Sequence, residues 1–165
     1  MDTVHHNTRA KHFFAALFFL VILFFVQELG ASFMQANSGE WFLSLQKPTW
    51  NPPGWVFQIV WPLLYIAVAF SGYMFWTHEK SPERSKGLFF WTAQLFCNTI
   101  WTYVFFALQS PLGGFIDILL VLLCSFGVLY YGRKVSFWIV WSFVLYILWL
   151  FYAGFLNLAI VLMNR

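Results

Sequence analysis

The sequence predicts an all-α membrane protein, a bundle of five transmembrane helices forming one domain over 1–165. Three observations carry this. The chain is 61% hydrophobic and only 9% charged, whereas a soluble domain carries about 25% charged residues. Its apolar residues gather into five runs, each near the roughly 20 residues that cross a bilayer. The breaks between runs collect prolines, glycines and charges. So few polar residues cannot build a water-facing shell, and lipid removes the need for one.

The first run, near Phe13–Gln35, is too long for the apolar part of a signal peptide and has no small-residue cleavage site, so it reads as a span. Gln27 and Glu28 interrupt it. A charge at mid-bilayer costs about 2.5–3.5 kcal/mol, so Glu28 is expected to be neutral, paired or facing a wet cavity. Residues 36–52 form the long loop, and its Trp41 and Trp50 give it apolar weight to fold over the mouth of the bundle. The second span, near Pro53–Trp76, opens on Pro52-Pro53, where a missing N–H costs nothing. Pro62 should kink it. Ser81-Pro82-Glu83-Arg84 is a charged turn before the third span, near Gly87–Leu108. Ser110-Pro111-Leu112-Gly113-Gly114 is a tight turn into the fourth, near Gly114–Tyr131. Gly132-Arg133-Lys134 ends that span, and the fifth runs near Ser136–Met163.

Several function classes are excluded. Cys97 and Cys124 lie within apolar runs, which argues against a disulfide framework. His5, His6 and His12 in the tail and His78 in a loop lack metal-ligand spacing and read as solvated. No phosphate loop and no Ser-His-Asp arrangement is present. The net charge of +3 is scattered over loops, which argues against a nucleic-acid partner. Seven of the nine basic residues fall in the tail, the second loop and the fourth loop. The positive-inside rule therefore puts the N-terminus in the cytoplasm and the first loop outside.

Two stripes at helical spacing mix polar groups with large aromatics. Gln94, Asn98, Trp101 and Phe105 form one on the third span. Ser142, Tyr146, Trp149, Ala153 and Asn157 form the other on the fifth. Polar groups in a membrane helix avoid lipid, so both stripes should face inward. Spacing alone leaves two uses open, interhelical hydrogen bonding or a ligand site.

The segment Trp41 to Leu45, then Lys47-Pro48-Thr49-Trp50-Asn51-Pro52-Pro53, followed by Phe57, Val60-Trp61 and Leu64-Tyr65, resembles the signature of the TspO/translocator protein family. Its members are also called tryptophan-rich sensory proteins or peripheral-type benzodiazepine receptors. The likeness continues through Asn98-Thr99-Ile100-Trp101, Phe105-Phe106, Asp117, Tyr146-Ile147-Leu148-Trp149, Ala153 and Leu156-Asn157. It implies a five-helix bundle, often dimeric, with a pocket opening toward the first loop. Members bind porphyrins, some bind cholesterol or synthetic flat ligands, and some bacterial ones degrade protoporphyrin in light. The resemblance therefore implies a receptor or sensor whose ligand is a porphyrin or another flat apolar molecule, with no cofactor required. The binding residues would be Trp41, Trp50, Asn98, Trp101, Phe105, Tyr146, Trp149 and Ala153. Trp50 and Trp149 would be catalytic in a light-dependent degrading enzyme. Asp117 would make a structural hydrogen bond. A rival from another class is a proton-coupled small transporter using Glu28. The membrane would be a cell membrane in a bacterium or the mitochondrial outer membrane in a eukaryote.

Two departures stand out. The family's Pro-Tyr in the fifth span is Leu145-Tyr146 here, which implies a straighter helix. The animal sterol pattern needs a Tyr between Leu156 and the final Arg165. The tail has none, so sterol binding through that motif is not expected. Val128 to Arg133 also fits this loose pattern.

Overall fold

A computed structural model describes residues 2–165, with side chains from Ala10 onward; His5, His6 and Arg9 are therefore outside the described side chains. The described chain is helical, with no strand. The helices are α1 (Asp2–Asn37), α2 (Glu40–Ser44), α3 (Gly54–Thr77), α4 (Pro82–Thr102), α5 (Pro111–Gly132) and α6 (Phe137–Met163). A π-helical segment, Tyr103–Ala107, continues α4. Around the bundle the long helices run in the order α1, α3, α6, α5, α4, with α4 returning to α1.

Local chemistry sets the ends. Ser81 and Ser110 cap α4 and α5, each hydroxyl accepting a backbone N–H three residues on at 3.1 Å, with a proline at the first turn. Arg84 closes the previous helix: its Nε and Nη2 donate to the carbonyls of Phe75 and Trp76, both at 2.9 Å. Two ends differ most from the sequence expectation, and a third, the start of α5, lies at Pro111 rather than Gly114 because proline suits the first turn. Residues 2–29 contain no proline or glycine, so α1 runs well before Phe13. Pro82 suits a first helical turn, so α4 starts there rather than at Gly87.

Four helices, α1 from Ala10 together with α3, α5 and α6, are long and apolar enough to cross a membrane. Of the five expected spans, α4 falls short by composition. Its first turns carry Glu83, Arg84 and Lys86, and its body carries Gln94, Asn98 and Thr99. The surface is inverted relative to a soluble protein. Phe14, Phe25, Leu63, Phe96, Leu145 and Phe155 are exposed, while Ser71, Gln94, Asn98, Asp117, Ser125 and Asn157 are buried. Lipid is the solvent that favours this arrangement. The chain is an integral, multi-pass membrane protein.

The bundle packs differently at its two ends. Toward the N-terminal tail, Phe19, Phe75, Trp91, Ile139 and Phe143 close a continuous core. There the Trp91 indole donates to the Val68 carbonyl at 2.9 Å. Gly72 is needed, because a Cβ on it would lie 2.7 Å from the Phe19 ring. At the loop end a second cluster forms from Phe105, Phe106, Leu156 and Ile160, with Trp41, Phe42, Leu45 and Phe57 packed on it. The wide π turn lets the consecutive Phe105 and Phe106 both turn inward.

Candidate functional site

A cavity of about 520 Å³ lies inside the loop end of the bundle. This is within the usual range for small-molecule sites. The first loop roofs it with Phe42, Lys47, Asn51 and Pro52. Lys47 clips that loop to itself, donating to the carbonyls of Phe42 and Leu45 and lying 4.4 Å above the Phe42 ring. The loop is also fastened to α6. Gln46 N–H donates to Asn164 Oδ1 and Asn164 Nδ2 donates to the Gln46 carbonyl, each at 2.9 Å. Tyr152 donates to the Trp50 carbonyl at 3.0 Å.

The walls are largely aromatic. Phe57, Trp61 and Tyr65 come from α3, Trp101 from α4, Phe105 from the π segment and Trp149 from α6. Trp101 and Phe105 stack at 5.1 Å, and Phe57 meets Trp149 edge-on at 5.7 Å. Small residues of α1, Gly30 and Ala31, and Ala153 of α6 leave the space open. Pro62 also lines it. Having no N–H, it frees the carbonyl of Gln58, one turn earlier.

A hydrogen-bond chain fixes the deeper wall. Tyr65 donates to Asn98 Oδ1 at 2.7 Å, Asn98 Nδ2 donates to the Tyr146 hydroxyl at 3.1 Å, and Tyr146 donates to Gln94 Oε1 at 3.0 Å. These four side chains tie α3, α4 and α6 together. Other buried groups remain unspent. Trp101 Nε1, Trp149 Nε1 and both amide atoms of Asn157 have no hydrogen-bond partner among the described residues.

Of the residues singled out in the sequence, Asn98, Trp101, Phe105, Trp149 and Ala153 come together as cavity lining. Three do not line it. Tyr146 is 1% exposed and stands behind Asn98, so the inward stripe on α6 ends in the packed core rather than in the cavity. Trp41 packs on the outer side of Phe105. Trp50 is 47% exposed and lies against Tyr152, ring centroids 5.8 Å apart. Glu28 is exposed on the outside of α1, while its neighbour Gln27 lines the cavity. Asp117 is buried, and its Oδ2 has no hydrogen-bond partner among the described residues. Cys97 and Cys124 are free. No group of metal-ligating residues occurs among the described residues, and His12 instead bonds the Tyr73 hydroxyl at 3.0 Å.

Trp61, Tyr65 and Asn157 line the site but were not among the expected site residues. All three lie in the segments that resemble the family signature, which was the available signal.

The profile of the TspO/MBR family matches residues 15–163. The chain belongs to that family. Protein CrtK of Rhodobacter capsulatus is 36% identical over 141 residues, covering 82% of this chain and 85% of that one. Tryptophan-rich protein TspO of Archaeoglobus fulgidus is 33% identical over 138 residues, 81% of this chain and 86% of that one. Translocator protein of Bos taurus is 31% identical over 131 residues, 78% of each. The TspO/MBR match runs from α1 to α6, so it takes in the roof and every wall of the cavity.

Proposed function

We propose that this TspO/MBR protein is a membrane receptor or sensor that binds a porphyrin, or a similarly flat apolar molecule, in the cavity under its first loop. One observation carries the reading: Trp61, Trp101 and Trp149 line a single cavity from three different helices. Flat π-systems bind by stacking on such faces, at about 0.5–1.5 kcal/mol per aromatic pair beyond area burial. The names tryptophan-rich sensory protein and translocator protein, borne by relatives, agree with a ligand-responsive role. In this reading α4 is the fifth span, the N-terminus is cytoplasmic, and two copies associate in the membrane. Titrating purified protein in micelles with protoporphyrin, followed by tryptophan fluorescence, tests it. Saturable quenching that Ala153→Phe weakens about tenfold in affinity is the expected result. Quenching that Ala153→Phe leaves intact would put the ligand elsewhere.

A second reading, light-driven porphyrin breakdown, is favoured by a row of oxidisable rings. Trp149 on the cavity wall lies 5.4 Å from Tyr152, which lies 5.8 Å from Trp50. Absorbance loss under illumination reports it. Breakdown by Trp149→Phe at the parent rate would end this reading and leave the receptor. The transporter reading draws no support from the cavity, since Glu28 is exposed on α1 and does not line it.

A further inference from the structure

The tail end of α5, opposite the cavity, gathers charge that nothing nearby offsets. Arg133 and Lys134 follow the helix, and both head groups lie over the ring of Tyr130, 4.8 Å and 5.1 Å from its centroid. The two charges are therefore nearer each other than the Debye length, about 10 Å at 0.1 M salt, and they repel. From Ile118 to Arg165 the chain contains no Asp or Glu to balance them. Arg133, Lys134 and Tyr130 are all exposed. Lys86 of α4 adds a third charge, 5.7 Å from the neighbouring Tyr131 ring, but Glu83 lies one turn before it on the same helix.

An apolar track leads to these cations. Leu119, Leu123, Phe126 and Tyr130 are separated by four, three and four residues, which places them on one face of α5, and all four are exposed. Tyr130 ends the track, and with the exposed Trp138 at the start of α6 it marks the headgroup level. The loose sterol pattern from Val128 to Arg133 covers part of the same stretch. Val128, however, is wholly buried in the core and cannot touch a molecule arriving from the bilayer.

We infer that Arg133, Lys134 and Tyr130 form a docking site for the phosphate of an anionic membrane lipid, with an acyl chain lying along the track below them. Charge complementarity selects this occupant. A lipid phosphodiester brings a negative charge and two free acceptor oxygens, which suit the fork of a guanidinium. The Tyr130 hydroxyl can donate to the same group. A lipid satisfies head and track together, whereas a soluble phosphate satisfies only the head and a sterol only the track. The site is remote from the cavity and stands or falls apart from the porphyrin reading.

Native mass spectrometry of the whole chain in neutral detergent at low salt tests it, with dioleoylphosphatidylglycerol and dioleoylphosphatidylcholine as probes. The two share acyl chains and differ in net charge. The parent should bind one phosphatidylglycerol about thirtyfold more tightly than phosphatidylcholine, the effect of two basic side chains at a membrane surface. Arg133→Gln/Lys134→Gln should bind both nearly equally. Lys11→Gln/Lys80→Gln removes the same charge from the same end and should keep the parent's preference. Equal loss of preference in the two double variants would mean a diffuse positive surface and overturn the proposal. A preference retained by Arg133→Gln/Lys134→Gln would overturn it too. A second measurement needs no variant. Phosphatidylglycerol carrying a photoactivatable diazirine in its acyl chain, bound to the parent at one equivalent, should label the peptide holding Leu119, Leu123 and Phe126. Label spread evenly over the lipid-facing helices would remove the site. Excess inorganic phosphate or cholesterol should leave the label in place, and displacement by either would give the site to a soluble anion or a sterol instead.

Discussion

The two ends of the bundle use the same helices to opposite effect. At the tail end, Phe19, Phe75, Trp91 and Phe143 leave no room, and the Trp91 indole has a carbonyl partner. At the loop end, the helices stand apart around about 520 Å³, and two wall indoles have no partner. The contrast teaches that dense packing is concentrated at the end away from the cavity. The loop end gives up packing and hydrogen bonds, and it depends on a fastened loop to stay in shape.

Four substitutions break or sharpen this contrast. The largest effect belongs at the closed end. Trp91→Ala should destabilise the fold by about 3–5 kcal/mol, through the cavity it opens, and orphan nothing at the ligand site. Denaturant unfolding in micelles measures it. If the molecules that remain folded bind protoporphyrin more weakly than the parent, the two ends are not independent.

Next comes the boundary between the ends. Tyr146→Phe strands Asn98 Nδ2 and Gln94 Oε1 inside the bundle. A loss of about 1–3 kcal/mol should follow, read from the same unfolding curves. An unchanged midpoint would mean that the hydroxyl ties nothing together.

Ala153→Phe fills the open end instead. Ligand affinity should drop about tenfold, equivalent to roughly 1.4 kcal/mol, while the melting temperature holds or rises. A parallel drop in melting temperature would show overpacking rather than occlusion.

The smallest effect is at the roof. Asn164→Ala removes both side-chain bonds to Gln46, worth about 0.5–1.5 kcal/mol each. Ligand dissociation, followed by stopped-flow fluorescence, should quicken several-fold with little change in melting temperature. A dissociation rate identical to the parent's would show that the loop does not gate exit.

The sequence reveals these regions unequally. The ends of α3, α5 and α6 are legible because prolines, glycines and serine caps punctuate them. The start of α1 is not, because its polar tail contains no helix breaker to mark where the membrane begins. Asn98, Trp101, Trp149 and Ala153 are legible as inward-facing because polar and aromatic residues recur at helical spacing and one face must turn from lipid; only the resemblance to the TspO/translocator protein family singles them out as a candidate site. That same spacing cannot separate Tyr146 from its neighbours. Inward-facing is a property of a helix, whereas lining a cavity depends on where the opposing helix stands. Trp61 and Tyr65 escape the periodicity argument for another reason. Around α3 nearly every residue is apolar, so no face is distinguished. Trp41 and Trp50 sit in a loop, where no period exists to aim a side chain.

The π segment at Tyr103–Ala107 has a consequence for how such a chain can change length. A π turn spends one residue more than the α turn it replaces. Removing Val104 would let the segment relax to α and would carry Phe105 and Phe106 around the helix axis, away from Trp41, Phe42 and Leu156. The spans would keep their hydrophobic lengths and the chain would still insert. What would be lost is the seat for the loop. Along this stretch a deletion should therefore cost more than a substitution, because the register of the π turn sets where Phe105 and Phe106 point.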